Sequence, residues 1–505
     1  VLGEVYARQL MNDIGKLNGR YLRDEAGRYY VVVRGQRVSL TDAPDNLPMA
    51  FLILQACNVS MHSQAARAAI QRVQVEAAKK AGQMQLRFFS ALSRDSSRLY
   101  IPCAAGKLLL ITADGITCAK NGENQDHFWV EHPNGGPLQH SSVDVATGLA
   151  HFERLLVETQ ACTLSAMRWL VAMHAGFFPY VRDSCPGRFL LELIGPAQSG
   201  KTSGAQRFTL LQGLGDVKGD FSPAALSALG DIGLLVLDNR EQANFTQPLI
   251  DFCLFLATGA ERGRAEVDGR LRTSRGGRPV AMITTIEGVV KAELQERCVE
   301  VQYGVSGQKL LRAPIEREIS ELRHEIQSAM IQVLARYFQF RGQRPVTVNP
   351  VPNFEEHFTT LCDLLRAFGE IAGKPPEWAD EIIHVWNATI LSADEQEDDL
   401  EHPITRVINE CVSTWPDTRL KEELFTYEGL NGELYVTTAR DLLTFLQKLN
   451  LRNLALPQNA QGLSRRLKSC RFSSLKFLPT DTPGVAGLKR TSGKKPIGFF
   501  RPVTQ

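Results

Sequence analysis

The run Gly195-Pro196-Ala197-Gln198-Ser199-Gly200-Lys201-Thr202 constrains this chain more than any other stretch. It is a complete G-x-x-x-x-G-K-T, and it follows the apolar run Arg188-Phe189-Leu190-Leu191-Glu192-Leu193-Ile194. A short apolar run stopped by glycine and proline reads as a buried strand of a parallel sheet. Strand, glycine-rich loop and helix form the arrangement in which backbone N–H groups turn inward on phosphate oxygens, and glycine permits the turn. Lys201 would meet the β- and γ-phosphates of ATP, and Thr202 would ligate Mg2+. The plain alternative is a structural glycine turn before a helix, and the flanking strand and helix weigh against it.

Composition sets the outer limits. A chain of 505 residues is long enough for about three domains. Its 44% hydrophobic and 22% charged content excludes disorder or a fibrous repeat as a global description. With 57 Lys and Arg against 55 Asp and Glu, any preference for an anionic partner must come from local clusters. The ten cysteines include no C-x-x-C pair, which argues against a zinc module or a disulfide framework. The most apolar helical stretch, Ala161 to Phe178, is interrupted by Arg168 and His174. The amino terminus has no basic segment followed by an apolar core, so no membrane segment, reduced thiols and a cytoplasmic location are expected.

Further motifs come after the loop. Gly233-Leu234-Leu235-Val236-Leu237-Asp238 is an apolar strand ending in a carboxylate, the Walker B arrangement in which Asp238 holds Mg2+ from a neighbouring strand. Asn239 stands where many ATPases carry Glu; it can orient a water but cannot take its proton. Glu241 lies close enough to serve instead, or to be only an N-terminal charge on the next helix. Val280-Ala281-Met282-Ile283-Thr284-Thr285 is a third apolar strand. Thr284 or Thr285 would sense the γ-phosphate from its end, with Thr285 taken as the candidate, although threonine is also simply a good strand former. Within Ala292-Glu293-Leu294-Gln295-Glu296-Arg297-Cys298-Val299-Glu300-Val301, Arg297 falls at a helix end before another strand. That is the place of an arginine finger or of a plain surface arginine.

The order GPAQSGKT, LLVLDN, VAMITT and ELQERCVEV resembles the AAA+ ATPase core, over about residues 188–305. Its spacing is similar to that of replicative helicases related to the minichromosome maintenance and superfamily 3 groups, which phages, plasmids and genomic islands often encode. The resemblance implies a homo-oligomer, expected as a hexameric ring, in which Arg297 reaches the γ-phosphate of a neighbouring subunit's ATP. Arg317 or Arg323 on the following helix would be a further sensor.

Two segments suit nucleic acid. Between the second and third motifs, Asp268-Gly269 is a hairpin signal amid six arginines and three acids, counting from Glu261 to Arg278. The resemblance places a DNA-gripping hairpin here, with Arg264, Arg270 and Arg272 as candidates, because a phosphate contact needs only a reachable cation. A solvated hairpin or an intersubunit surface is the plain alternative. From Leu463 to Gln505 there are ten Lys or Arg and one acid, Asp481. A helix over Thr437–Leu449, a second over Gln461–Cys470 with Arg465, Arg466 and Lys468, and a strand pair over Leu488–Phe500 turning at Ser492-Gly493 are similar to a winged-helix module. A solvated basic tail is the alternative.

The remaining chain supplies the frame. Tyr29–Val33 and Arg37–Leu40 flank a glycine turn, Ala50–Asn58 is too apolar for a surface loop, and Ser63–Ala81 has helical periodicity. Leu86–Ala91, Arg98–Pro102 and Lys107–Thr112 are short strand signals, and Pro314–Phe340 is a long helical pattern. The acidic run at 394–399 reads as a linker or helix end. The fold class expected is multidomain. An α+β N-terminal collar domain (1–142) and a helical connector (143–187) lead into an α/β P-loop AAA+ core (188–305) with a helical lid (306–395). A C-terminal winged-helix domain (396–505) completes the chain.

The functional expectation is an ATP-dependent, Mg2+-using DNA helicase of a mobile element, working on single-stranded or forked DNA. No polymerase, nuclease or primase constellation is visible, so any priming needs a separate primase or polymerase. The rival expectations are an ATP-switch regulator of transposition or DNA targeting that unwinds nothing, and a defence or signalling NTPase.

Overall fold

The structure is a computed structural model. It describes residues 2–214, 232–240, 245–259, 278–304, 311–343 and 350–399, apart from isolated positions within them. It also describes the strand backbones at 262–265 and 271–274 and parts of 408–502. Two compact units divide the chain, Val1–Ile390 and Leu391–Gln505.

Four parallel strands carry the motifs of the first unit: the P-loop strand Leu190–Ile194, the Asp238 strand Leu234–Leu237, the threonine strand Val280–Thr285 and the Arg297 strand Cys298–Gln302. Across the sheet they run in the order Asp238, threonine, P-loop, Arg297, every neighbour parallel. The first three are buried along their whole length, which is why their sequences read as near-unbroken apolar runs. The order matters for chemistry. The threonine strand stands between the P-loop and Asp238 strands, so its carboxyl end opens where loop and carboxylate meet.

Helices cover this sheet. The P-loop helix Lys201–Leu211 packs on the Asp238 and threonine strands, and Gln247–Thr258 packs on the P-loop strand. Gly259, at φ +75°, ends the latter helix in the left-handed region, as a glycine cap does. The long helix Arg312–Phe340 is followed by Glu355–Ile371 and Trp378–Asp399; the acidic run at 394–399 continues the last of these as its end. The connector is helical but interrupted by single π-turns at Glu153–Val157 and Met173–Phe177, each inserting a residue into the ladder.

One hydrophobic core unites these parts. It includes Phe152, Phe177, Leu191, Met282, Leu334, Phe368 and Trp386, and also Phe89, Leu99, Ile101, Leu109 and Ile111 from the amino-terminal strands. Trp386 is fully buried and its indole N–H donates to the Ala166 carbonyl at 2.8 Å. Buried Arg182 donates to Ser90 Oγ and to the Phe88 carbonyl. The strands at 99–104 and 107–112 therefore share a core with the P-loop sheet, whereas Leu10, Val31, Ile53, Ile70 and Val73 form a smaller core of their own.

In that smaller core the expected hairpin forms. Tyr29–Val33 pairs antiparallel with Gln36–Ser39, with Val33 opposite Gln36. Arg34 and Gly35 turn at φ +52° and +74°, the left-handed pair that a two-residue hairpin loop requires. The apolar run near residue 50 is the helix Leu47–Cys57, capped by Asn46; it leaves Leu47, Phe51 and Leu54 exposed. Among the described residues no helix is long and apolar enough to cross a membrane, and no cysteine is bridged.

The C-terminal unit holds a five-stranded sheet built on Leu430–Thr438 and Pro496–Pro502. The helix expected over Thr437–Leu449 is observed at Ala439–Lys448: Thr437 and Thr438 end the strand before it, and Thr438 Oγ1 accepts from the Asp441 N–H at 3.2 Å, a side-chain cap. Its Leu442, Leu443 and Leu446 pack with Leu467, Ile497 and Phe499. Of the strand pair expected over Leu488–Phe500, residues 488–495 lie outside the described residues; the strand Pro496–Pro502 pairs with Lys476–Leu478 and with Leu430–Thr438, and its alternate residues Ile497 and Phe499 fill this core. The expected turn at Ser492-Gly493 and most of the second helix, with Arg465, Arg466 and Lys468, lie outside the described residues.

Candidate nucleotide-binding site

The loop from Gly195 to Thr202 leaves the buried P-loop strand and enters the helix at Lys201. Gln198 and Gly200 have φ +65° and +88°, two left-handed turns within the loop, and the Ser199 N–H donates to the Pro196 carbonyl at 3.2 Å. Gly195 is forced for a second reason. A Cβ there would overlap the Tyr303 carbonyl and stand 3.1 Å from Ser199 Oγ. Lys201 is 8% exposed; its ammonium donates to the Gly195 carbonyl, to the Pro196 carbonyl at 3.0 Å and to Ser199 Oγ at 3.3 Å. The cation thus sits in the loop's own concavity, where a phosphate would exchange with those carbonyls.

Thr202 Oγ1 donates to Asp238 Oδ1 at 2.6 Å, and Thr284 Oγ1 donates to the same oxygen at 2.7 Å. The Asn239 N–H donates to Thr284 Oγ1 at 2.9 Å. Hydroxyl, carboxylate and hydroxyl therefore meet at one point beside the loop, drawn from three separate elements. Asn239 has φ +53° and is exposed, a left-handed conformation that asparagine tolerates. Glu241 lies outside the described residues.

The two threonines part company here. Successive strand residues face opposite sides of a sheet, so with Thr284 turned to Asp238, Thr285 points the other way. Its hydroxyl donates to Glu192 Oε1 at 2.9 Å. Thr285, the candidate by sequence, is thus replaced at the carboxylate by Thr284.

A polar wall backs the loop. Tyr303 OH donates to Gln160 Oε1 at 2.8 Å, and Ala161 lies beside Gly200. A Cβ at Gly204 would strike the Gln160 side chain. Burial pushes the Tyr303 hydroxyl well above its ordinary value and the Cys162 thiol up to about 11, so both stay neutral beside the loop. Sequence reasoning missed Gln160, Tyr303 and Glu192. Of these only Glu192 left a signal, a charge inside an apolar run.

Arg297 is placed at the far end of the sheet. Its strand pairs with the P-loop strand from Leu190↔Cys298 to Ile194↔Gln302, and that length of parallel strand spans about 16 Å. Arg297 precedes the first pair, whereas Gly195 follows the last. Its guanidinium donates to the Glu293 carbonyl and lies 3.8 Å from Glu296. The structure therefore does not bring Arg297 to its own chain's P-loop. Arg323 acts locally. Its Nε donates to the Leu211 carbonyl at 3.1 Å and its Nη2 to the Gly136 carbonyl at 2.9 Å, fastening the long helix to the end of the P-loop helix. Arg317 is exposed.

The arginine-rich hairpin exists as backbone. Arg262–Ala265 pairs antiparallel with Leu271–Ser274, with Arg264 opposite Arg272. By register Arg262, Arg264 and Arg272 fall on one face of the ribbon. Arg270 and the Asp268-Gly269 turn lie outside the described residues.

With this geometry in place the chain can be set beside known proteins. No family model matches it, and no curated protein does. Solved structures do. The active helicase Cch of SCCmec type IV is 12% identical with a TM-score of 0.42, covering 95% of this chain and 92% of its own. The A-form apo structure of the NrS-1 C-terminal region is 9% identical with a TM-score of 0.35, covering 98% of each chain. An inhibitor-bound JCV helicase is 16% identical with a TM-score of 0.23, covering 53% of this chain and 64% of its own. These likenesses are distant, and the functional reading rests on the site's own residues.

The residues present fit a magnesium nucleotide. The forced glycine and the left-handed turns shape a cradle for phosphate, and the helix beginning at Lys201 offers first-turn N–H groups with no acceptor inside the helix. One hydroxyl and one carboxylate are the oxygen donors that Mg2+ takes from protein when phosphates and water complete its shell.

Proposed function

We propose that this protein is an ATP-hydrolysing AAA+ ring motor, expected to be hexameric, that translocates on single-stranded DNA and opens forked duplexes during replication of a mobile element. The observation that carries the reading is the convergence of Thr202, Asp238 and Thr284 beside the P-loop, supported by the position of Arg297 beyond reach of its own loop.

In this reading the loop residues Gly195 to Thr202 hold the phosphates, with Lys201 moving from the loop carbonyls to the β- and γ-oxygens. Thr202 and Asp238 hold Mg2+, which when bound neutralises charge developing on the phosphates. Thr284 fixes the orientation of Asp238 and, through its bond to the Asn239 N–H, the start of the segment carrying Asn239 and Glu241. Asn239 orients the attacking water, with Glu241 the nearby carboxylate able to take a proton. Arg297 completes a neighbouring subunit's site, so a monomer has half a site. Arg264, Arg270 and Arg272 grip the strand, and Arg465, Arg466 and Lys468 add a second DNA contact on a winged-helix tail. A primase or polymerase acts beside it as a separate partner, and the motor works in the cytoplasm.

A second reading, an ATP-driven assembly switch without unwinding, is favoured by one observation: exposed Asn239 occupies the place of a carboxylate base, which suits slow hydrolysis. ATP turnover measured with and without single-stranded DNA tests the motor. Turnover stimulated by DNA and abolished by Lys201→Ala supports it. Turnover indifferent to DNA favours the switch.

A further inference from the structure

The P-loop strand contains one charged residue among its leucines and isoleucine, and that residue is wholly buried. Glu192 is 0% exposed. An ionisable side chain in the middle of a parallel sheet is strongly unfavourable unless it is hydrogen-bonded, so its partners show what it does. Glu192 Oε1 accepts from Thr285 Oγ1 at 2.9 Å, and the Gly288 N–H donates to that same hydroxyl at 3.1 Å. Acid, hydroxyl and backbone amide form one chain from the P-loop strand, across the threonine strand, into the segment beyond it.

Register explains why this matters for the nucleotide site. Ile194 pairs with Thr285 and Leu193 with Thr284, so Glu192 lies on the Thr285 face and Asp238 is met on the other. Rotation of the strand end about its own axis would move both hydroxyls together. Gly288 is held close over the acid: its φ is +83°, and a Cβ built there would stand 3.4 Å from Ile194 Cδ1 and 4.0 Å from the carboxylates of Glu192 and Glu300. Glu300 is the register partner of Glu192 on the Arg297 strand.

We infer that Glu192 is a positioning residue for ATP hydrolysis: by holding Thr285 Oγ1 from behind the sheet, it sets the angle at which Thr284 meets Asp238. The inference rests on the ATPase reading of the site. A purely structural acid would affect melting temperature and leave turnover by the folded protein unchanged.

The test measures kcat and KM for ATP, binding of a slowly hydrolysed ATP analogue and melting temperature for the full chain and three variants. Glu192→Gln keeps the acceptor oxygen and is expected within about twofold of wild type in kcat. Glu192→Leu and Thr285→Val each break the bond and are expected to lower kcat about 10- to 100-fold, the cost of small misplacements. Their KM and analogue affinity should stay within about threefold. Combined, the two losses should not multiply, because both remove one interaction. Should Glu192→Leu fail to fold, Thr285→Val decides, since it deletes a single hydroxyl. Normal kcat in folded Thr285→Val, or a rise in KM without a fall in kcat, would overturn the role of Glu192 alone. Wild-type protein that turns over no ATP would overturn this role and the ATPase reading together.

Discussion

Thr202 Oγ1 donates a 2.6 Å hydrogen bond to Asp238 Oδ1, joining the first turn of the P-loop helix to the end of a strand two places away in the sheet. Both groups are oxygen donors of the kind Mg2+ takes, so the bond keeps together the two residues that would hold the ion beside the loop. Thr202→Val and Asp238→Asn should each lower Mg2+-dependent ATP turnover at least about 100-fold. Nucleotide affinity measured in EDTA should change little, because Lys201 and the loop amides remain. Fluorescent-nucleotide titration with and without Mg2+ separates the two effects, and equal loss in both conditions would contradict the assignment.

The ribbon of Arg262–Ala265 and Leu271–Ser274 places Arg264 opposite Arg272. If both meet phosphate, replacing them with Ala should weaken binding to single strands of any sequence. It should also flatten the plot of log affinity against log salt by about 0.7 per contact. Fluorescence anisotropy at several salt concentrations reads both quantities. Unchanged slope in the double variant would remove the hairpin from the DNA path.

A stack of buried rings gives the core a pH dependence. His174 and His357 lie 5.2 Å apart by ring centroid, between Phe178 and Phe189. His174 Nε2 faces the Ala281 carbonyl at 3.1 Å, and His357 Nδ1 accepts from the Phe189 N–H at 3.2 Å. Burial lowers the pKa of His174 from 6.5 to about 4, and burial, then the neighbouring His174, lowers that of His357 well below 6.5. Both are neutral when folded, and the unfolded chain binds their protons more tightly. Stability is therefore full above pH 6.5 and falls as the pH drops toward 4, by about 3 kcal/mol for His174 alone. Thermal melts between pH 7.5 and 5 should show the decline, and His174→Phe should make it shallower. A pH-independent melt would contradict the buried neutral pair.

Arg297 lies at the opposite end of its strand from the P-loop, so the reading requires a neighbouring subunit. Lys201→Ala and Arg297→Ala should each be inactive as ATPases. Mixed in equal amounts before assembly, they should regain activity, since about one interface in four then pairs an intact loop with an intact arginine. Steady-state hydrolysis across mixing ratios checks this, and no recovery at any ratio would place Arg297 outside the site.

Much of this arrangement is legible in the sequence. Strand, loop and helix around Gly195–Thr202 are local, and Asp238 at the end of an apolar run needs only its strand to be buried. Which threonine meets Asp238 is not legible, because the phase of a strand buried on both faces leaves no alternation to read. Glu192 is visible as an anomaly, but its partner Thr285 becomes adjacent only through a pairing between segments far apart in sequence. The sharing of one core by Ile101, Phe152 and Phe368 is equally hidden, because three separate apolar segments do not announce that they pack together. The π-turns in the connector have no signature in the apolar pattern that predicts a helix.

The measurement that bears most directly on the proposed motor is strand displacement on 3′- and 5′-tailed forks by wild type, Lys201→Ala and Arg297→Ala, with assembly mass determined alongside. ATP-dependent displacement is predicted for wild type alone, from a closed oligomer and with a preference for one tail. A wild type that assembles and hydrolyses ATP yet separates neither fork would contradict the motor.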